Sequence, residues 1–246
     1  AGLFQQGVRD DVRGVHVSGA AALFQASEER GIRRLIHFSA IGVDRKQPSD
    51  FSATKLEGDR ALMERDLDWV ILRPSVVLGR PVYGASAMIR GLAALPFVPS
   101  MKHTGPLQVV RLEDVAETVS LLIGPEAPAR IILELAGPER LSMDDVVARY
   151  RRWLGWKPAR RLSLPAALFN LLYRAGDLVG WLGWRSPVRS TARKEIPRGA
   201  VGDPSAWIKI TGRNPLALDD ALARDPASVQ ERWFAALYFL KPVIFI

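Results

Sequence analysis

The chain has 246 residues, of which 48% are hydrophobic and 24% charged, proportions that are ordinary for a globular protein with a substantial core. Because it contains no cysteine, disulfides and thiolate metal sites are excluded, and the histidines at positions 16, 37 and 103 lack metal-ligand spacing, so no metal is expected. The net charge of +8 is uneven, because residues 151–213 hold 13 Lys/Arg against 3 Asp/Glu.

Helical and strand patterns alternate along the chain from its first residues. Residues 14–30 carry small and apolar side chains at helical spacing and are followed by Gly31, a residue that favours a helix end. The later segments are predicted in this order: a strand in RRLIHFSAIG, a helix in SATKLEGDRALMERD capped by Ser49 or Ser52, a strand in LDWVILRPSVVLG broken at Pro74, a helix in VRLEDVAETVSLLIG, a strand in RIILELAG, a helix in SMDDVVARYRRWLG capped by Ser142, and helices in PLALDDALARDP and SVQERWFAALYFL.

This alternation predicts an α/β fold with a Rossmann-type doubly wound parallel sheet, followed by a mostly helical C-terminal region. The glycine-rich turn G-x-G-x-x-G that usually opens such a fold follows no strand in this chain. The chain starts at Ala1 and ends on the apolar run LYFLKPVIFI, which is too short to span a bilayer. We therefore expect a fragment of a longer protein, an incomplete sheet whose first strands are missing.

An ordered set of motifs adds a family resemblance. The segments are AGLF, GVHVSGAAALFQAS, RLIHFSAIGV, FSATK, LDWVILRPSVVLG, QVVRLEDVAETV and ELAGPERLSMDDVV. In this order and spacing they resemble the extended and atypical short-chain dehydrogenase/reductases, in particular the NAD-dependent epimerase/dehydratase-like branch. That branch includes relatives of an accessory subunit of respiratory complex I and bacterial members that continue into a C-terminal membrane domain.

The resemblance implies a site for NAD or NADP, left incomplete here because the glycine-rich turn would lie upstream. The family's Tyr-x-x-x-Lys pair falls on Phe51 and Lys55, and its active-site serine on Ser39. These three residues are the candidate catalytic positions. The candidate cofactor-binding residues are Lys55, which would hold the nicotinamide ribose, the strand end at Ala1 and Gly2, and the segment Arg73, Pro74, Ser75 and Val76.

Phe51 departs from the family pattern, because a phenyl ring has no proton to transfer. General acid–base catalysis contributes roughly 10²–10⁴-fold, so we expect an NAD(P)-binding protein with degenerate catalysis and a membrane-linked or structural role. The alternative is an active oxidoreductase, epimerase or dehydratase that acts on a small carbonyl or sugar-nucleotide-like substrate. It would use another acid, such as Tyr83 or a water held by Ser39.

Structural interpretations of the same residues stay open. Lys55 could be a solvated lysine and Phe51 a core ring, while Ser39 could be a strand-end hydroxyl that caps the next turn. His16, where the family usually has asparagine, and His37, inside a predicted strand, favour structural roles over catalysis.

The resemblance divides the chain into a partial NAD(P)-binding domain at 1–155, a basic, tryptophan-rich region at 156–230, and the start of a membrane segment at 231–246. The basic region could be a substrate subdomain with a solvated face, a membrane-surface element or a protein-docking surface. Nucleic-acid binding is not favoured by this fold. The expected place is the cytoplasm, with attachment at the inner face of the cell membrane. The apolar and basic residues behind the membrane interpretation are Leu168, Phe169, Leu172, Leu178, Val179, Trp181, Leu182, Trp184, Arg185, Arg189 and Arg193.

Overall fold

The computed structural model describes residues 3–7, 10–82, 84–101, 104–163, 166–181 and 190–240. The chain folds into two units, each made of three separate stretches. The first unit comprises Ala1–Ser75, Val110–Ala136 and Ala200–Pro215, and the second comprises Val76–Val109, Gly137–Gly199 and Leu216–Ile246. Each unit draws on sequence from both sides of residue 155, so the division of function at 155 and 230 stays a prediction.

Strands and helices alternate as the sequence predicts. The strands are β1 (Arg34–Phe38), β2 (Asp68–Pro74), β3 (Val76–Leu78), β4 (Phe97–Pro99), β5 (Val109–Arg111), β6 (Ile131–Leu135) and β7 (Arg160–Leu162). The helices are α1 (Gly19–Glu29), α2 (Asp50–Met63), α3 (Gly84–Ala94), α4 (Leu112–Leu122), α5 (Met143–Trp153), α6 (Ala166–Trp181), α7 (Ser190–Glu195), α8 (Ser205–Thr211), α9 (Leu218–Arg224) and α10 (Val229–Leu237). A π-helix, Gly14–Ser18, leads into α1, and 3₁₀ turns occupy Ile196–Arg198 and Tyr238–Leu240.

A parallel sheet in the order β1-β2-β6 forms the centre of the first unit, which confirms the predicted parallel α/β fold. The central strand β2 is buried along most of its length, as its nearly continuous apolar sequence predicts. Pro74 ends β2, and the chain continues as β3 from Val76, so the predicted break is confirmed.

One face of this sheet packs against α1 and α2. Trp69 and Ile71 of β2 form a buried cluster with Phe24 of α1, Leu62 of α2 and Leu67. Because side chains alternate along a strand, the next residue on this face of β2 is position 73. The strand thereby directs a charged side chain, Arg73, towards α2 at the carboxyl end of the sheet.

Helix α8 completes the first unit against β6. Its Trp207 is fully buried, and the indole Nε1 donates a 2.9 Å hydrogen bond to the hydroxyl of Thr118 in α4. A buried indole N–H normally needs such an acceptor. Sequence patterns had not predicted this helix, which belongs by position to the basic region.

The second unit is held around a buried arginine on α3. The guanidinium of Arg90 lies 5.0 Å from the ring centre of Trp153 and 5.8 Å from that of Tyr150, both on α5. It also donates a 2.7 Å hydrogen bond to the carbonyl of Gly79 and lies 3.5 Å from the carboxylate of Glu231 on α10. Elsewhere in this unit β4 and β7 pair in parallel.

Of the helices that the structure describes, none has the length and apolar character needed to cross a bilayer.

Candidate functional site

The first turn of α2 sets the geometry of the candidate site. The Ser49 hydroxyl caps the helix by accepting the backbone N–H of Ser52 at 3.3 Å, which decides between the two predicted caps. Phe51, Lys55 and Asp59 then follow at four-residue intervals, so all three project from one face of the helix.

Lys55 points to the carboxyl end of β1. Its ammonium donates a 2.8 Å hydrogen bond to the backbone carbonyl of Phe38, the last residue of that strand, and the residue is only 8% exposed. Burial lowers the pKa of Lys55 below its ordinary value, and the nearby carboxylate of Asp59 opposes that shift. Among the described residues, one of its three N–H groups has a partner, so two remain for a ligand at the strand end.

Asp59 lies at the centre of a buried polar cluster and is fully inaccessible to solvent. Its Oδ2 accepts hydrogen bonds from the Ser39 hydroxyl at 2.9 Å and from Nε and Nη2 of Arg73 at 3.2 and 3.0 Å. The remaining Nη1 of Arg73 donates to Asp44 at 2.7 Å. The arginine side chain is therefore committed to the two carboxylates, and a contact between Arg73 and a cofactor stays a prediction.

The bond to Asp59 fixes the direction of the Ser39 hydroxyl. A carboxylate paired with an arginine has only lone pairs to offer, so Ser39 is the donor in this bond. Its single proton is used inside the cluster. Towards a ligand, Ser39 therefore presents acceptor lone pairs and no donor.

His37 borders the same cluster from β1. Its Nε2 lies 3.4 Å from Oδ1 of Asp59, without the alignment of a hydrogen bond, and its ring stacks edge-on against Phe24 at 5.4 Å between centres. This agrees with a structural role for His37. Sequence reasoning missed Asp59 itself, although its position one turn after Lys55 was the available signal.

Phe51 packs in an aromatic group at the start of α2. Its ring is half-buried, with its centre 5.2 Å from that of Phe4 and 5.7 Å from that of His16. None of these three side chains is an acid that could replace a tyrosine hydroxyl at neutral pH. At this position the structure therefore supplies an apolar wall.

His16 is held as a neutral ring of defined tautomer. Its Nε2 accepts the backbone N–H of Leu3 at 3.1 Å, so the proton of the ring lies on Nδ1. Nδ1 is 2.9 Å from the hydroxyl of Thr54, which itself donates to the carbonyl of Asp50 at 2.7 Å. All polar atoms of the ring are satisfied in the uncharged form, which agrees with a structural histidine.

The surroundings of His16 also disfavour its protonation. Burial is the largest cause, followed by the positive charge of Lys55 and the neighbouring His37, and together they lower its pKa from 6.5 to about 4. Gly58 on α2 makes this close packing feasible, because a Cβ there would collide with the backbone carbonyl of His16.

The cofactor-binding role of the other predicted site residues stays a prediction, and the structure shows these contacts of the described ones. Pro74 accepts the N–H of Ile41 at 3.2 Å, and Ser75 donates its N–H to Leu135 and its hydroxyl to the carbonyl of Ala200. Val76 belongs to the second unit. Ala1, Gly2 and the alternative acid Tyr83 lie outside the described residues.

No three histidine or carboxylate side chains within the described ranges come together as a metal site would require.

Comparisons with known proteins show which proteins the chain is similar to. Residues 4–100 match a family described as NAD(P)H-binding. The chain is similar to two curated proteins. It is 21% identical over 131 residues to subunit 9 of the NADH dehydrogenase [ubiquinone] 1 alpha subcomplex of Dictyostelium discoideum. It is 23% identical over 167 residues to the ceramide reductase of Caulobacter vibrioides. These alignments cover 53% and 67% of the chain but only 36% and 51% of the two relatives.

Among solved structures, the UDP-glucuronic acid 4-epimerase of Bacillus cereus, crystallised with UDP-glucuronic acid and NAD, superposes with a TM-score of 0.63 at 16% identity. The match covers 91% of the chain and 68% of the epimerase. The chain thus has the Rossmann-type fold of NAD(P)-binding, epimerase/dehydratase-like proteins.

Because His16 has a lower pKa in the folded chain than in the unfolded one, it should make stability depend on pH. The unfolded chain gains a proton as the pH falls through 6.5, whereas the folded chain gains it only near 4. Stability from this group is therefore complete above 6.5 and is lost as the pH falls towards 4. Between pH 7 and 5 the loss should be about 2 kcal/mol.

Urea unfolding of the wild type and of His16→Asn at several pH values measures this effect. Asparagine does not titrate but keeps a donor and an acceptor. The free energy of unfolding of the variant should therefore fall less than that of the wild type between pH 7 and 5. Equal slopes for the two proteins would show that His16 does not carry the effect.

Proposed function

We propose that this protein binds NAD(P) with Lys55 holding the nicotinamide ribose, and that the site is largely non-catalytic. The observation that carries the proposal is the hydrogen bond from the Lys55 ammonium to the carbonyl of Phe38. This hydrogen bond holds the Lys55 ammonium, with its two further N–H donors, at the carboxyl end of β1. Open parallel α/β sheets bind their ligands at that end of their strands. The match of residues 4–100 to an NAD(P)H-binding family supports the same assignment.

The hydrogen-bonding capacity of the site suits a hydroxyl-bearing group. Lys55 can donate two hydrogen bonds, and Ser39 can accept one because its own proton is bound by Asp59. A ribose hydroxyl both accepts and donates, so it can satisfy both residues. A carbonyl substrate would find no O–H donor at either Ser39 or Phe51.

Replacing Lys55 by Met should weaken NADPH binding about 10- to 100-fold, since hydrogen bonds to charged groups contribute roughly 1.5–3 kcal/mol. The measurement is a fluorescence titration of the protein with its full natural sequence. Lys209→Met is the matched control, because Lys209 is an exposed lysine on α8. An equal affinity for wild type and Lys55→Met would contradict the proposal.

Degenerate catalysis is tested by restoring the hydroxyl. In Phe51→Tyr the phenol would lie one helical turn from Lys55, whose positive charge favours the phenolate. We expect NAD(P)H-dependent turnover of test carbonyls to rise roughly 10²-fold or more, while Phe51→Leu, which adds no hydroxyl, should leave it unchanged.

The alternative, an active enzyme with another acid, gives a different result. It requires turnover by the unaltered protein that gains nothing in Phe51→Tyr and, where Tyr83 is the acid, disappears in Tyr83→Phe. That outcome would contradict degenerate catalysis. It would not contradict the proposed role of Lys55 in binding, which the Lys55→Met titration tests separately.

We further propose a membrane-linked role, for which α6 supplies the specific observation. Leu168, Leu171, Leu172 and Leu178 share one face of this helix and are between 39% and 62% exposed. The opposite side holds the buried Gly176 and the half-buried Tyr173, whose pKa is raised by burial. Asn170 and Arg174 of α6 are exposed as well, so the leucines are part of a broad exposed surface, whereas an ordinary surface helix turns its leucines inward.

Positive charge accompanies these exposed leucines. Arg174 on α6 and Arg193 and Lys194 on α7 are exposed, and these two helices contact each other. Exposed leucines flanked by Arg and Lys favour the headgroup region of an anionic bilayer. The similarity to a ceramide reductase, a protein named for a membrane lipid, agrees with such a location.

Co-sedimentation with vesicles tests the membrane role. The double variant Leu171→Gln/Leu178→Gln should reduce binding to phosphatidylglycerol-containing vesicles about 10-fold or more, because each leucine contributes roughly 1 kcal/mol or more when buried. Leu23→Gln/Leu121→Gln, which changes equally exposed leucines of the first unit, is the control. Wild-type protein that stays in the supernatant, or equal losses in both double variants, would contradict membrane docking by α6.

A further inference from the structure

The second unit contains a cavity of about 260 Å³ that the proposed cofactor site does not use. It is formed by α5, by the segment after it, and by residues of β4 and β7. Ligand pockets usually begin near ~300 Å³, so only a small molecule would fit. The lining residues are Val98, Asp144, Val147, Ala148, Arg151, Arg152, Trp156, Pro158, Ala159 and Arg161.

The apolar part of the lining combines aliphatic side chains with two rings. Val98, Val147 and Ala148 come from a strand and a helix, and the indole of Trp156 and the ring of Pro158 lie on the segment that follows. Trp156 is half-buried, so part of its surface remains open. An aromatic or similarly flat group can stack on such a surface.

The polar part is dominated by positive charge. Three arginines line the cavity against one carboxylate, that of Asp144. Arg151 is fixed in place, because its Nη1 donates to the carbonyls of Ala93 and Leu95, both at 2.7 Å, and its Nε to that of Lys157. Its guanidinium also lies 5.9 Å from the ring centre of Trp156. Arg151 therefore places a fixed positive charge at the cavity.

The carboxylate neutralises this charge only in part. Oδ1 of Asp144 accepts the backbone N–H of Met101 at 3.0 Å, and Oδ2 lies 3.6 Å from Nη1 of Arg161, too far for a direct hydrogen bond. Arg152 uses one nitrogen on Asp219, at 3.0 Å. The side chains of Arg161 and Arg152 are 56% and 70% exposed, so both can turn towards a ligand.

We propose that this cavity binds a small organic anion, an aryl phosphate or aryl carboxylate in its chemistry. The negative head would meet the guanidinium groups of Arg151, Arg152 and Arg161. The flat apolar body would stack on Trp156 and on the apolar floor. Guanidinium groups bind both phosphate and carboxylate in paired N–H···O geometry, which is why the class includes both.

Calorimetric titration with phenyl phosphate tests this assignment. Wild-type protein should bind phenyl phosphate at least 10-fold more tightly than inorganic phosphate or phenol, because only the first carries both the charge and the ring. Arg161→Gln should weaken that binding about 10-fold, a loss typical of a charged hydrogen bond. Arg224→Gln on α9 removes the same charge from an exposed residue outside the cavity and should have no effect.

Trp156→Leu keeps the cavity apolar but removes the stacking surface, and it should bring phenyl phosphate down to the affinity of inorganic phosphate. Three outcomes would overturn the proposal: no binding of phenyl phosphate, equal affinity for phosphate and phenyl phosphate, or equal losses in Arg161→Gln and Arg224→Gln. NADPH binding measured in the same variants should not change. The site is therefore tested separately from the Lys55 proposal.

Discussion

The buried carboxylate of Asp59 is the constraint on which the candidate site depends. A carboxylate removed from water costs several kcal/mol unless hydrogen bonds and opposite charge compensate it. Here the compensation comes from Arg73 on β2 and from Ser39 directly after β1, so the carboxylate ties α2 to two neighbouring strands. Lys55 lies one turn earlier on the same face. Its ammonium is therefore held at the strand end by a network that needs no ligand.

In the function we propose, this network separates holding a ligand from transforming it. The charge of Lys55 and the lone pairs of Ser39 remain available at the edge of the cluster, and both suit a sugar hydroxyl. A hydroxyl acid is missing from this edge, because Phe51 has no O–H group and the proton of Ser39 is bound to Asp59. The two residues lack a free hydroxyl proton for different reasons. Phe51 has no hydroxyl at all. Ser39 has one, but the carboxylate of Asp59, two turns after Phe51 on α2, accepts its proton.

Sequence patterns predicted the strands of the first unit, and its helices apart from α8, because their signals are local. The cap at Ser49, the break at Pro74 and the apolar run of β2 each act within a few residues. Asp59 was missed because its partners come from β1 and β2, far along the chain. A contact between Arg73 and a cofactor stays a prediction, and the alternation of side chains along β2 turns Arg73 towards Asp59 on α2. Trp207 and α8 were likewise hidden, since their place is set by Thr118, 89 residues away.

The basic region illustrates how composition and structure diverge. The sequence left three interpretations of this region open, and in the structure its residues are divided between the two units. Arg213 pairs with Glu117 in the first unit, whereas Arg198 pairs with Glu195 in the second. The charge that remains exposed in the second unit accompanies the leucines of α6 and the cavity beside α5. In our proposals these charges serve two local sites, each of which combines cations with apolar surface.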